Sequence, residues 1–506
     1  MTRPAFFRIP SVLAVAVCLV LGGPLGHGQG SAQTPGSGGG GSPLAGPAGG
    51  LAGQGIQTIP SQPFTWVQKP SDIGVVKIPV GVGSGWVDVA DMLQFRFVPS
   101  FSTDPTLEVI LWPPYSGHPE FPERFLLQFP MGPGSYNPDK KALVIGFHPY
   151  GVSEKSIFVA TILPYLCAEQ GWILLAPYGQ VDTNFANELS QQALEASLGL
   201  IRTIIGYNEK KVYTVGFSMG GLNAVSFAMR HLEHGKRRVA GVINHTGTMD
   251  VAFEYNLGNP IVQGLMEDAM HFGGSPAQVP FEYDRISPFR VKANKVDPLK
   301  APVTNLRHLP FYLHLNLQDP NTHLVQHNVA LRDYLLAQGA TVQTHSVNAG
   351  PQHAWATLPM REAIEWISQF ELPNDPPAID VFADREAGYF YTDVRDLQPN
   401  QHARYQVSIK SGGTGFQLLK TQALNELAFD LAGMGLDPLT ALTIDHMSAD
   451  STPDTLVLQG YASPPGAVLI NGSEAIAGSW SHNPLKQELT LQPSPFGTFS
   501  LVQILP

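Results

Sequence analysis

The chain has 506 residues, enough for at least two domains and a large buried core. Its net charge of −11, with only 14% charged residues and no basic stripe, excludes nucleic acid or an anionic membrane surface as its main partner. With 51 glycines and 44 prolines it is rich in turns and loops.

In chain order, Arg3 and Arg8 precede an apolar run at 12–21 that is too short to span a bilayer, and Gly30-Ser31-Ala32 supplies small residues for cleavage. Residues 1–32 therefore predict a secretory signal peptide and a secreted or extracytoplasmic protein. Cys18 follows Val17, where lipid attachment requires a small residue, so no stable membrane anchor is expected. Removal of the signal leaves Cys167 alone, and a secreted chain with one cysteine must hold together by packing rather than by an internal disulfide. Cys167 sits in an apolar helical run and reads as an inert buried thiol.

Residues 33–62 are mostly Gly, Ser, Pro, Ala and Gln; they carry too little apolar surface to fold and read as a disordered linker. Short β-type runs at 75–79, 93–98, 107–112 and 125–129 mark an N-terminal β-rich region over 63–130. Over 131–373 buried strands alternate with amphipathic helices. Strands are expected at 142–147, 172–176, 212–215, 239–243, 310–315 and 340–347. Helices are expected at 157–169, 189–205, after 218, at 323–338 and at 361–370. Near-continuous apolar strands separated by helices predict a parallel sheet covered on both faces. After a proline-rich break the helices largely stop, and 378–506 reads as a β-sandwich-like accessory domain.

Within the α/β region, Gly216-Phe217-Ser218-Met219-Gly220 follows a strand and opens a helix. A serine pushed out on so tight a turn needs neighbours without bulky side chains two residues away on each side, and Gly221 lets the helix pack close to the strand. This is the context of a nucleophile elbow. A serine hydroxyl is a weak nucleophile until a base takes its proton, so a histidine and an orienting acid should follow late strands. Asp319 follows the strand at 310–315 and His353 lies in a Gly/Pro loop after the last strand. Asp250, after an earlier strand, is the alternative acid. His314 and His345, inside strands, read as structural. The oxyanion hole needs two backbone N–H groups: Met219 after the serine, and Tyr150 in the loop after 142–147, because Pro149 has none to give. Trp355 and Tyr178, aromatics near the sheet edge, are candidates for substrate binding.

Together His148-Pro149-Tyr150-Gly151, the elbow, Asp319 and Gly350-Pro351-Gln352-His353 resemble the α/β-hydrolase superfamily over about half the chain. Within it the chain looks like the secreted esterases related to feruloyl esterases, polyhydroxyalkanoate depolymerases and dienelactone hydrolases. The resemblance implies an α/β-hydrolase fold, a Ser-His-Asp triad, hydrolysis of carboxylic esters of small molecules or polymers, and no cofactor. The chain departs from the usual His-Gly pair of the oxyanion loop by having Pro149.

Other readings remain open. A serine peptidase of prolyl-oligopeptidase type carries a similar elbow, but its gating propeller needs about 280 residues, more than either flanking region supplies. An acyltransferase would use the same residues. His323-Leu324-Val325-Gln326-His327 spaces two histidines one turn apart but has Leu324 where a zinc hydrolase needs glutamate, so no metal is expected. A binding protein on a hydrolase scaffold is the reading outside enzymes. No feature of the sequence specifies the acyl group, the alcohol or an oligomeric state.

Overall fold

The computed structural model describes residues 92–506 apart from 100–101, 114, 131–140, 234–238, 373, 451–453 and 493–498, with the backbone of four short strands before residue 90. Most of the expected signal segment and the whole linker lie outside the described residues. Three of the short strands, Val15–Cys18, Phe64–Gln68 and Val76–Ile78, form a small antiparallel sheet. No helix among the described residues is long and apolar enough to cross a membrane.

The central sheet has ten strands: β1 Val87–Val89, β2 Leu93–Val98, β3 Thr106–Leu111, β4 Glu123–Gln128, β5 Leu143–Phe147, β6 Ile173–Pro177, β7 Val212–Phe217, β8 Gly241–His245, β9 Phe311–Asn316 and β10 Val342–Val347. Their spatial order is β10-β9-β8-β7-β5-β6-β4-β3-β2-β1. From β10 to β6 all neighbours are parallel; β4 runs against β6, and β4 to β1 form an antiparallel meander. From Val87 on, the N-terminal β-rich region is thus the antiparallel half of the main sheet, whereas its strands Phe64–Gln68 and Val76–Ile78 belong to the small separate sheet.

The inner parallel strands β5 to β9 are buried on both sides because both faces are covered, whereas the edge strand β10 is only partly buried. Leu143, Ile145 and Phe147 of β5 pack with helices α2 (Glu188–Ile204), α3 (Met219–Arg230) and α4 (Thr322–Ala337). Val144 points to the other face, where α1 (Leu163–Gln170) and α5 (Met360–Ile367) supply Leu166 and Ile364. The helix expected over 157–169 is in fact two, Lys155–Val159 and α1. Thr161 separates them by donating to the Ile157 carbonyl (2.6 Å) and accepting from Leu163 N–H (3.1 Å), and Pro164 suits only a first turn. Between β8 and β9 lie three short helices, Val251–Asn256, Pro260–Glu267 and Pro280–Asp284, which the sequence reading left without elements. They form a small core of their own over Met219 and Leu222 at the head of α3.

The C-terminal residues form two seven-stranded sheets. Phe416 of one meets Phe429 of the other at 4.6 Å between centroids, so the pair is a sandwich. One of its sheets is completed by Leu232–Glu233, a two-residue strand lent by the central unit and paired in parallel with Ala387–Phe390. Asn305 reinforces the join: its amide donates to the carbonyls of Met229 (3.0 Å) and Phe382 (2.9 Å), and its oxygen accepts from Phe382 N–H (2.8 Å).

Candidate active site

β7 ends at Phe217, and Ser218 adopts φ 57° and ψ −123° before α3 begins at Met219. A non-glycine residue held there stores about 1–3 kcal/mol of strain, which the surroundings must over-determine. They do so through the backbone: Ser218 N–H donates to the His245 carbonyl (3.0 Å), and the Ser218 carbonyl accepts from Gly221 (2.9 Å) and Thr248 (3.2 Å). Two glycines have steric reasons of their own. A Cβ at Gly216 would lie 1.9 Å from the Gly220 carbonyl oxygen. One at Gly220 would lie 2.2 Å from the Phe147 carbonyl oxygen, because the head of α3 is pressed against the end of β5. That contact brings Met219 beside the loop His148-Pro149-Tyr150-Gly151.

The loops after β9 and β10 bring Asp319 and His353 together. His353 Nδ1 lies 2.7 Å from Asp319 Oδ2, with the carboxylate buried and the imidazole half-buried. The imidazole packs on Phe217, centroids 4.4 Å apart, directly beside the elbow. An imidazole tied at Nδ1 to a carboxylate keeps Nε2 free to take up and return a proton. Asp250 lies elsewhere: it caps Val251–Asn256 by accepting from Phe253 N–H (3.0 Å), accepts from Val291 N–H (2.8 Å), and pairs with Arg290 (3.3 Å). Burial raises its pKa despite those partners.

The sequence reading missed Asn316. This fully buried side chain at the end of β9 donates to the carbonyls of Gly350 (2.9 Å) and Gln352 (2.8 Å) and accepts from Ala349 N–H (3.2 Å). It thereby holds the loop that carries His353. A polar residue ending the apolar run Phe311-Tyr312-Leu313-His314-Leu315 is the signal that marks it. Glu123 was missed as well. Fully buried, it accepts N–H groups of Tyr178 (3.1 Å), Gly179 (2.9 Å) and Gln180 (2.9 Å), fixing the loop after β6. Burial nevertheless pushes its carboxyl up to about 7.

That loop supports the Tyr150 segment: Gly151 N–H donates to the Asp182 carbonyl (2.9 Å), and His148 Nε2 lies 3.0 Å from the Tyr178 carbonyl oxygen. Tyr150 is 37% exposed. Tyr178 is half-buried, stacked on His148 and covered by the Arg124 guanidinium at 4.4 Å. Trp355 is buried, packed on Phe217 (5.4 Å) and His245 (6.0 Å), so its ring supports the elbow from within the core. His323 pairs with Glu254 (3.1 Å), and no group of three metal-ligating side chains occurs among the described residues. Cys167 is a buried free thiol whose pKa burial raises.

No protein-family profile matches the chain, and no curated protein matches it in sequence. Solved structures resemble it in fold. Fluorophosphonate-binding serine hydrolase F of Staphylococcus aureus is 15% identical, covering 52% of this chain and 98% of its own, with a TM-score of 0.36. An S-formylglutathione hydrolase from Agrobacterium tumefaciens is 11% identical, covering 55% and 99%, with a TM-score of 0.38. An acetyl xylan esterase from Paenibacillus sp. R4 is 12% identical, covering 55% and 88%, with a TM-score of 0.36. The strand order, with an antiparallel β4 beside the crossed pair β5 and β6 and a strained serine at the end of β7, is that of the α/β-hydrolase fold.

Proposed function

We propose that the protein is a secreted serine hydrolase that cleaves carboxylic esters through an acyl-enzyme. The observation that carries this reading is Ser218 held at positive φ beside an imidazole whose Nδ1 is bonded to a buried carboxylate. In the proposed cycle His353 Nε2 takes the Ser218 hydroxyl proton as Oγ attacks the ester carbonyl. The negative charge moves to the carbonyl oxygen, where the N–H groups of Met219 and Tyr150 receive it. Asp319 orients His353 and stabilises the imidazolium without itself being protonated. The tetrahedral intermediate collapses, the His353 proton goes to the departing alcohol, and the acyl group stays on Ser218. Water then gives a proton to His353, attacks the acyl carbonyl and releases the acid, returning the proton to Ser218. Tyr178 and the exposed Tyr150 ring flank the bound acyl group, with Trp355 supporting Phe217 behind them.

The test uses the mature protein and its Ser218→Ala variant with a fluorescent fluorophosphonate and a panel of p-nitrophenyl esters and peptide p-nitroanilides. Labelling and ester turnover that both disappear in the variant support the reading. Labelling with peptide cleavage alone would turn it into a peptidase. Turnover that survives in Ser218→Ala would refute the nucleophile. N-terminal sequencing of exported protein, with a start near residue 33 expected, tests secretion.

A further inference from the structure

Behind the Phe217 ring, two imidazoles converge on one hydroxyl and a third backs one of them. His345 of β10 meets the fully buried His314 of β9, Nδ1 to Nδ1, at 3.0 Å. His314 Nε2 lies 3.2 Å from Thr357 Oγ1, and His245 Nε2 lies 3.0 Å from the same oxygen. That oxygen is also 3.1 Å from the Ala354 carbonyl.

Proton counting gives these contacts a direction. A threonine hydroxyl has one hydrogen and two lone pairs. The Ala354 carbonyl only accepts, so the hydroxyl donates to it and accepts from both Nε2–H groups. Burial lowers the pKa of both imidazoles, that of His314 to about 4, so each carries a single ring proton near neutral pH. With its proton on Nε2, His314 presents a lone pair at Nδ1, and His345 donates Nδ1–H into it.

Thr357 lies four residues after His353 on the same loop, in the short turn Trp355–Thr357. The two imidazoles it receives end or cross β8 and β9, and the His245 ring also packs on Phe217 at 4.4 Å, as His353 does. Asn316 holds this loop only on the side before His353.

We propose that Thr357 is a positioning residue for His353: by accepting Nε2–H from His245 and His314 it fastens the far side of the His353 loop to β8 and β9. The proposal rests on His353 being the base of the reaction proposed above, but its placement of the imidazole has a readout independent of turnover.

The test compares the full chain with Thr357→Val, which keeps the shape and loses the acceptor, and Thr357→Ser, which keeps the hydroxyl. Nitrogen-15 NMR of labelled histidines should show His245 and His314 as Nε2–H tautomers in the wild type, with a downfield Nδ1–H resonance from His353 bonded to Asp319. Thr357→Val should lose that resonance and lower kcat on a p-nitrophenyl ester by roughly 10- to 100-fold, with KM little changed. Thr357→Ser should restore both. An Nδ1–H tautomer at either His245 or His314 in the wild type overturns the proposal, even if Thr357→Val does not fold. So does a folded Thr357→Val that keeps the His353 resonance and wild-type kcat. A wild type without ester turnover but with the His353 signal dependent on Thr357 would refute the hydrolase reading and uphold the positioning.

Discussion

Arg230 and Asp384 form a 2.8 Å ion pair between two units of the chain, and both side chains are almost wholly buried. Arg230 is the last residue of α3, whose first residue follows Ser218, so a single helix runs from the elbow to the C-terminal sandwich. Glu188 of α2 (2.6 Å) shares the Arg230 guanidinium, and Arg285 (3.1 Å) shares the Asp384 carboxylate. Burial opposes the charge on Asp384, but Arg230, Arg285 and Arg385 outweigh it and hold the carboxyl far below its usual range.

Breaking a buried pair from one side leaves the other charge uncompensated, so Asp384→Ala is expected to cost about 3–5 kcal/mol. Urea denaturation followed by far-UV circular dichroism and tryptophan fluorescence should show one shared transition that moves to lower urea. Two separate transitions in the wild type would mean the units are thermodynamically independent.

The two candidate acids should separate by kinetics. Asp319→Asn is expected to lower kcat by about 10⁴-fold with little loss of stability, because the imidazole loses the partner that fixes its tautomer. Asp250→Asn keeps a side chain that caps a helix as well as aspartate does and removes a charge that burial disfavours, so it is expected to move the melt little and leave kcat within a few-fold. The reverse pattern would transfer the acid to Asp250.

Asn316→Ala deletes three hydrogen bonds to the loop at 349–352 and should lower kcat more than it lowers Tm. A roughly 100-fold fall in kcat, the scale set by a misplacement of about 1 Å, is expected. Equal kcat in a variant that still melts cooperatively would show that the loop holds itself.

Glu123 should make stability depend on pH. Its folded carboxyl titrates near 7 because burial disfavours the charge, against an ordinary value of 4.5. The folded state therefore binds the proton more tightly, and the group's contribution, complete below about 4.5, is lost as pH rises through about 7. Glu123→Gln cannot ionise, so its stability relative to wild type should rise between these limits by on the order of 3 kcal/mol. Denaturation midpoints at pH 4.5, 6 and 8 for both proteins check this; a constant difference would refute it.

What the sequence disclosed was the chemistry governed by local rules. Steric demands wrote Gly216 and Gly220 around Ser218, and two-sided burial made β5 to β9 continuous apolar runs, so their positions agree with expectation to within a few residues. What stayed hidden depends on partners distant in the chain. Asn316 stands out in sequence only as the polar end of an apolar run, and what it holds is set when the β10 loop arrives beside it. Leu232–Glu233 is too short to announce a strand, and Ala387–Phe390 supplies its hydrogen bonds from more than a hundred residues away.

The strand lent at Leu232–Glu233 also orders events during synthesis. Chains emerge from the ribosome N-terminus first, and domains generally fold as they emerge. When residue 373 has been made, the elbow helix is complete and Glu188 is at hand for Arg230, yet Asp384, its second carboxylate, and the strand that pairs with Leu232–Glu233 are still to come. The nascent α/β half therefore waits with a half-paired cation and an open β edge until the last hundred-odd residues arrive. Under the export proposed above, that interval is when a chaperone or the translocation machinery would keep the chain unfolded.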